Sequence, residues 1–327
     1  MQVCYILRRP EPNFYSIERL CHVLAGEIQH KAEVRTHTLP FASSVFGAPA
    51  NLFCLPRTPD TIYHVIGDVH YAALALPKER TIVTFHDAVS LHRLSGLKRH
   101  LLLEYSYRKP LRRAAAITTV SDFAKAELER ACGTVDRPIH VVHNPADPAF
   151  AWVGPKPRGA RPVILQVGST PNKNVDVVIK AIAGIDCDFH VVGQPEANLA
   201  QLAREFGVRM TWHSSITDQE LLDLYAAATL VTFASSYEGF GLPIVEAQAV
   251  GRPVITSRCC SLPEVAGDGA LFVQPGDVCE LRSAILLLLY EPSLAQHLVE
   301  RGRRNVARFS LERIAAEYFS LYESLLN

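Results

Sequence analysis

Leu230-Val231-Thr232-Phe233-Ala234-Ser235-Ser236-Tyr237-Glu238-Gly239-Phe240-Gly241-Leu242-Pro243-Ile244-Val245-Glu246-Ala247 is the stretch whose reading decides the fold. It opens on an unbroken apolar and β-branched run, as in a strand buried on both faces. Two glycines then punctuate the chain. Pro243 sits where the first turn of a helix tolerates a missing N–H. Strand, glycine turn and helix in that order form the repeating unit of a parallel, doubly wound sheet. Gly239 and Gly241 let backbone approach a ligand closely, and the N–H groups of the helix start make an anion site. Glu238 stands just before this turn and Glu246 about one turn inside the helix.

The same alternation extends in both directions. Upstream, the strand candidates are Val3–Leu7, Glu33–Leu39, Thr61–Ile66, Thr81–Phe85, Ala116–Val120 and His140–His143. Ile17–Ala25 and Ser121–Ala131 between them are apolar at helical spacing, with Ser121 placed as an N-cap. Asn144-Pro145, Pro148 and Gly154-Pro155-Lys156-Pro157-Arg158-Gly159 break both periods and read as a linker. Then the pattern restarts with Val163–Val167, Phe189–Val192, Met210–His213, Leu230–Phe233, Val254–Thr256 and Leu271–Val273. Thr217-Asp218-Gln219-Glu220 opens one of the intervening helices as a capping box. The expected architecture is therefore α/β, with two doubly wound Rossmann-like domains over 1–150 and 151–310. A last helix, 311–327, is expected to pack back toward the first domain. Ligands in such sheets sit beyond the carboxyl ends of the strands, so a cleft between the domains is the expected site.

A chain of 327 residues suits two domains of about 150 each. Apolar residues make up 48% and charged ones 20% of it, which excludes disorder. Lys+Arg and Asp+Glu both number 33, so no global field recruits nucleic acid, and none is expected as a partner. The cysteines are scattered, with no C-x-x-C pair, as in a reduced, cytoplasmic protein. The amino terminus has too short an apolar run for a signal peptide, and Ala284–Leu289, the longest such run elsewhere, is too short to span a bilayer. No G-x-G-x-x-G follows the first strand, which argues against a dinucleotide-dependent oxidoreductase.

Two carboxylates flanking a phosphate-binding turn suit a ligand with a phosphate centre and hydroxyls at both ends, such as a sugar nucleotide. The same residues also fit an ordinary glycine-rich strand–helix turn with two solvated glutamates. Further motifs add to this. Glu238 and Glu246 stand eight positions apart, and this E-x7-E arrangement resembles that of the retaining family-4 glycosyltransferases of the GT-B fold (glycosyl transferases group 1). Val167-Gly168-Ser169-x-x-Asn172-Lys173-Asn174, Ser261-Leu262-Pro263-Glu264-Val265 and Gly269-Ala270-Leu271-Phe272-Val273-x-Pro275 are similar to that family as well. So, more sparsely, are Phe85-His86-Asp87, Thr119-Val120-Ser121 and His143-Asn144-Pro145 in the first half.

The resemblance implies transfer of a sugar from a nucleotide-diphosphate donor to a hydroxyl acceptor, in cell-surface polysaccharide or glycolipid assembly. It implies that Glu246 holds the ribose and Glu238 a hydroxyl of the donor sugar. Gly239, Phe240 and Gly241 would present backbone to the diphosphate and sugar, with Gly168, Ser169, Ser215, Ile216 and Leu242 completing the donor site. Lys173 would neutralise the leaving diphosphate, a fixed cation where charge develops. His86 would act at the reaction centre, and Asp87 would orient its loop. No cofactor and no metal are expected. The family's usual arginine upstream of the lysine is replaced here by Ser169 and Asn172, with Arg258 a candidate substitute. In place of a glycine-rich loop after the first strand stands Arg8-Arg9-Pro10-Glu11-Pro12-Asn13-Phe14-Tyr15-Ser16, which reads either as a structural turn or as a segment in which Arg8 and Asn13 take the place of that loop on the acceptor side. Asp68 and His70 are two more.

Arg93–Arg113 is basic, with Glu104 as its only acid. It reads either as a solvated face or as a surface that docks anionic lipid through Leu101–Leu103, Tyr105 and Tyr107, bringing the enzyme to a lipid-linked acceptor at the cytoplasmic membrane. The alternatives in function are a GT-B sugar-nucleotide epimerase or phosphorylase, or a non-catalytic partner subunit. The retained Lys173, Glu238 and Glu246 argue against the last.

Overall fold

The structure, a computed structural model, describes residues 1–10, 16–44, 47–133, 136–154 and 161–326. Asn13 and the linker residues Pro155-Lys156-Pro157-Arg158-Gly159 lie outside the described residues. The chain divides into two compact units, Met1–Pro145 with Leu311–Asn327, and Ala146–Ser310. Ala146 and Phe150, placed in the first domain by the sequence reading, belong to the second unit. The Ala146 N–H donates to Phe309 O at 2.7 Å, and the Phe150 ring meets Tyr225 edge-on at 5.5 Å.

The first unit holds a six-stranded parallel sheet: β1 (Gln2–Leu7), β2 (Glu33–Thr38), β3 (Thr61–Val65), β4 (Thr81–Phe85), β5 (Ala116–Thr119) and β6 (Ile139–Val141), in the order β2-β1-β3-β4-β5-β6. Every residue of β3, β4 and β5 is buried, which is why they read as continuous runs. Edge strand β2 is largely exposed. Helix Asp122–Cys132 starts where Ser121 Oγ accepts from Ala124 N at 3.0 Å and ends at Gly133. The last helix, Leu311–Ser324, belongs to this unit. Its Leu311, Ile314, Tyr318 and Tyr322 share a core with Val3, Tyr5, Leu24 and Ile62. Polar groups inside that core are paired. His64 Nδ1 lies 2.8 Å from Tyr322 Oη and its Nε2 2.6 Å from Thr84 Oγ1, which in turn meets Thr118 Oγ1 at 2.6 Å.

The second unit repeats the plan with β7 (Val163–Val167), β8 (Asp188–Val192), β9 (Arg209–His213), β10 (Leu230–Phe233), β11 (Val254–Ser257) and β12 (Ala270–Val273). Their order is β12-β11-β10-β7-β8-β9, all parallel. The winding reverses between β7 and β10, so their connections leave on opposite faces and open a crevice at the carboxyl ends of these two strands. Helix Asp218–Ala227 begins with the expected capping box between Thr217 and Glu220. Helix Leu242–Val250 carries Pro243 in its first turn.

Candidate active site

The loops after β7 and β10 meet at that reversal. Gly168 follows β7 with φ +97°, where an L-residue is strained, and a Cβ there would fall 2.8 Å from Lys173 Cε. The lysine side chain thus lies along the glycine backbone. Lys173 closes a short 3-10 turn, Pro171–Lys173, and its carbonyl accepts from Gln166 Nε2 at 2.7 Å. Asn174, in a left-handed conformation, donates through Nδ2 to Ala234 O at 2.8 Å, tying this turn to the end of β10. Asn172 does the same from the other side, donating to Tyr237 O at 3.0 Å and accepting at its own carbonyl from Ser236 N at 2.8 Å.

These ties bring Lys173 Nζ to 2.7 Å from Glu238 Oε1, with both side chains about one-sixth exposed. The ammonium also lies 4.4 Å from the centre of the Phe233 ring. Ser261 Oγ lies 2.9 Å from Glu238 O and 2.7 Å from Phe240 O, clasping the loop at both ends. Gly241 caps helix Leu242–Val250 at φ +118°, and a Cβ there would fall 3.0 Å from Leu262 Cδ2. Glu246, half-buried in this helix, accepts at Oε2 from Tyr225 Oη at 2.7 Å. Ser169 Oγ donates to Gln194 O at 3.2 Å. Ser215, exposed and at φ +54°, and half-buried Ile216 form the turn after β9. The residues singled out in the second half therefore all stand at the carboxyl ends of one sheet. A cation, a carboxylate and a helix start meet at its switch point, where a phosphate group fits.

In the first unit, His86 follows β4 and is buried, with Nε2 2.6 Å from Ile66 O. A carbonyl only accepts, so Nε2 carries the proton and Nδ1 is left as the acceptor. Burial, opposed by the Asp68 carboxylate, lowers the pKa of this imidazole and keeps it neutral. Arg8 leaves β1, donating to Glu18 at 2.8 Å and reaching Asp68 at 3.4 Å. Asp87 Oδ1 accepts from Val89 N at 2.9 Å, which orients the loop. His70 is a different case from the acceptor-side residue expected. It is enclosed, its ring 4.2 Å from Phe85 and 5.5 Å from Tyr107, and burial pushes its pKa down to about 4.

Other expectations need revision. Arg258, the candidate second cation, directs Nη2 to Phe272 O at 3.4 Å. The sequence also holds one D-x-D, Asp186-Cys187-Asp188. It stands at the amino end of β8, away from Lys173, where Arg209 pairs with both carboxylates and Arg161 reaches Asp186 at 3.2 Å. In the basic stretch, Leu103 and Tyr107 are core residues, so they are unavailable to a lipid surface. Arg108 is bound to Glu104, and Arg113 donates to Ala73 O and Leu76 O. Exposed residues of the stretch include Leu97 (72%), Leu101 (47%) and Tyr105 (48%), one helical turn apart, with Arg93, Lys98, Arg99, Lys109 and Arg112 among the exposed cations. Among the described residues no helix is long and apolar enough to cross a membrane.

Known proteins share these features. The family model for glycosyl transferases group 1 matches residues 154–305, and that for glycosyltransferase family 4 matches residues 11–150. HepE of Anabaena, solved in complex with UDP-glucose, superposes with a TM-score of 0.78 over 99% of this chain and 100% of its own, at 16% identity. The architecture is that of the GT-B glycosyltransferases. O-antigen chain mannosyltransferase B of Escherichia coli is 31% identical over 298 residues, 81% of this chain and 75% of that protein. MMP alpha-(1->4)-mannosyltransferase of Mycolicibacterium hassiacum is 32% identical over 233 residues, covering 67% of this chain and 56% of its own. The chain belongs to glycosyltransferase family 4, the glycosyl transferases group 1, and is a sugar-transferring enzyme.

Proposed function

We propose that the chain moves a hexosyl group from a nucleotide-diphosphate sugar to a hydroxyl of a saccharide or lipid-linked acceptor, with retention of configuration and without a metal ion. The observation that carries this reading is the convergence of Lys173 Nζ and Glu238 Oε1, 2.7 Å apart, at the switch point beside the start of helix Leu242–Val250. A leaving nucleoside diphosphate gains charge as its bond to the sugar C1 breaks. Lys173 and the helix start meet that charge where it develops, the task a divalent cation performs elsewhere. Glu238 takes a donor-sugar hydroxyl, Glu246 the ribose, and residues 239–241 offer backbone to the diphosphate. His86 presents Nδ1 as an acceptor toward the sugar. The acceptor oxygen attacks C1 from the face the phosphate leaves, and its proton passes to a departing phosphate oxygen.

Both relatives named above are mannosyltransferases, so a mannosyl nucleotide is the first donor to try, and assembly of a surface polysaccharide or glycolipid the first setting. The test is transfer with GDP-mannose and oligosaccharide acceptors in the presence of EDTA, the product's anomeric configuration being read by NMR. Transfer with retention supports the reading. Loss of activity on chelation, an inverted product, or donor isomerisation without acceptor would overturn it.

The exposed Leu97, Leu101 and Tyr105 with their neighbouring cations support reversible docking to anionic lipid at the inner face of the cytoplasmic membrane. Each engaged cation is worth about 1 kcal/mol there, so four amount to roughly 4 kcal/mol before ordering costs. Co-sedimentation with anionic but not neutral vesicles at low salt is expected, falling when Arg93, Lys98, Lys109 and Arg112 are neutralised. Binding unchanged in that variant would leave the stretch a solvated face.

A further inference from the structure

Cys259 and Cys260 follow β11 at its carboxyl end, next to the loop that delivers Glu238 from β10. Both are half-buried, and neither is in a disulfide. Cys259 Sγ lies 3.4 Å from Ser235 O and 3.7 Å from Ser236 O, and Cys260 Sγ lies 3.7 Å from Ser236 O. Cys260 holds a left-handed backbone at φ +55°, which an L-residue adopts only when its surroundings impose it. The next residue, Ser261, clasps Glu238 O and Phe240 O. Residues 259–261 are thus stitched to the loop on both sides of Glu238, and two adjacent sulfurs face the chain that positions it.

We propose that Cys259 and Cys260 form a vicinal dithiol site for a trivalent arsenical, and that filling it closes the donor site. The second half of this statement rests on the donor reading above. The step is a condensation: an organoarsenic oxide and two thiols give a dithioarsenite and one water, with arsenic trivalent throughout and no oxidant needed. Two As–S bonds form, the As=O bond is lost, and both thiol protons leave in the water. A disulfide is the less suitable product. It would draw the sulfurs to about 2.05 Å between neighbours whose Cα atoms stand about 3.8 Å apart, closer than unstrained disulfides allow. A single arsenic bridges the sulfurs without bringing them into bonding contact. Once bridged, neither sulfur donates to Ser235 O or Ser236 O, so the loop that holds Glu238 loses these contacts.

The probe is phenylarsine oxide, applied to the full chain carrying Cys54→Ser and Cys279→Ser so that the two exposed thiols do not compete. Mass spectrometry is expected to find one phenylarsenic group on the peptide holding Cys259 and Cys260. It should resist excess glutathione, a monothiol, and be released by 2,3-dimercaptopropanol. Cys259→Ser or Cys260→Ser alone should abolish the glutathione-resistant adduct. Affinity for GDP or UDP should fall by about tenfold or more in the adduct, as after loss of a polar contact. Absence of a glutathione-resistant adduct on the folded chain would overturn the site. An adduct that leaves nucleoside diphosphate affinity unchanged would overturn the coupling. The mass readout needs no nucleotide, so it decides the dithiol site whatever becomes of the donor reading.

Discussion

Glu238→Gln separates the two partners of the ion pair at the switch point and has opposite expected effects on two ligands. Lys173 Nζ and Glu238 Oε1 are 2.7 Å apart with side chains 17% and 15% exposed. Unit charges at that distance attract by about 6 kcal/mol at an effective dielectric of ~20. Desolvation offsets most of this, leaving about 1.5–3 kcal/mol, typical of a hydrogen bond to a charged group. If Lys173 binds the diphosphate as proposed, that ligand shares the lysine with the carboxylate in the parent and meets its charge. Glutamine has the same shape and still offers an oxygen to Asn172 Nδ2, 3.3 Å from Glu238 Oε1, but it carries no charge. The free nucleoside diphosphate should therefore bind Glu238→Gln more tightly by about 1.5 kcal/mol, roughly tenfold. Sugar transfer should fall by a factor on the order of 10², because a contact to the donor sugar is weakened in the transition state. Titration calorimetry of GDP and UDP against both proteins, beside steady-state transfer rates, reads both effects. Equal or weaker diphosphate binding in the variant would refute the idea that Glu238 and the diphosphate compete for Lys173.

His86→Ala should leave nucleoside diphosphate affinity nearly intact and cut turnover by about 10² or more, as for a group acting at the reacting atoms; parental turnover would make His86 a structural residue. The first unit should be acid-sensitive. His64 and His70 are buried neutral with pKa values pushed down to about 3 and 4. Their contribution is complete above the ordinary value of about 6.5 and is lost as pH falls toward those values, because the unfolded chain takes up protons first. Between pH 7 and 5 the pair should cost the unit about 3–4 kcal/mol. Hydrogen exchange of β3 and β4 amides, corrected for intrinsic rates, measures it, and equal protection at the two pH values would contradict the assignment.

Much of the fold was legible because its signals are local. Buried parallel strands appear as unbroken β-branched runs, and Thr81–Phe85, Val163–Val167 and Leu230–Phe233 fall where the sequence placed them. Caps at Ser121 and Thr217 use side chains to satisfy N–H groups a few residues away, so they too are readable. Leu103 and Tyr107 were misread because a basic amphipathic stretch does not announce which of its apolar residues face inward. Here Tyr107 is held between His70 and Phe85 from elsewhere in the chain. Arg113 looked like a surface cation, yet its guanidinium serves two backbone carbonyls across the fold.

The order of residues alone determined that the chain alternates strand and helix in two halves, and that Lys173, Glu238 and Glu246 stand at strand–helix turns. Hydrophobic periodicity and turn chemistry act over a few residues, and a single sequence records them. Only the tertiary structure decided that β7 and β10 are neighbours where the winding reverses. That adjacency puts Lys173 against Glu238, 65 residues further along the chain. The tertiary structure also joined Tyr322 to His64, setting the last helix into the core of the first unit, and laid the Cys259–Cys260 pair against Ser235 and Ser236. Such contacts arise from strand order and packing, in which every pairing depends on all the others, and no local pattern encodes them.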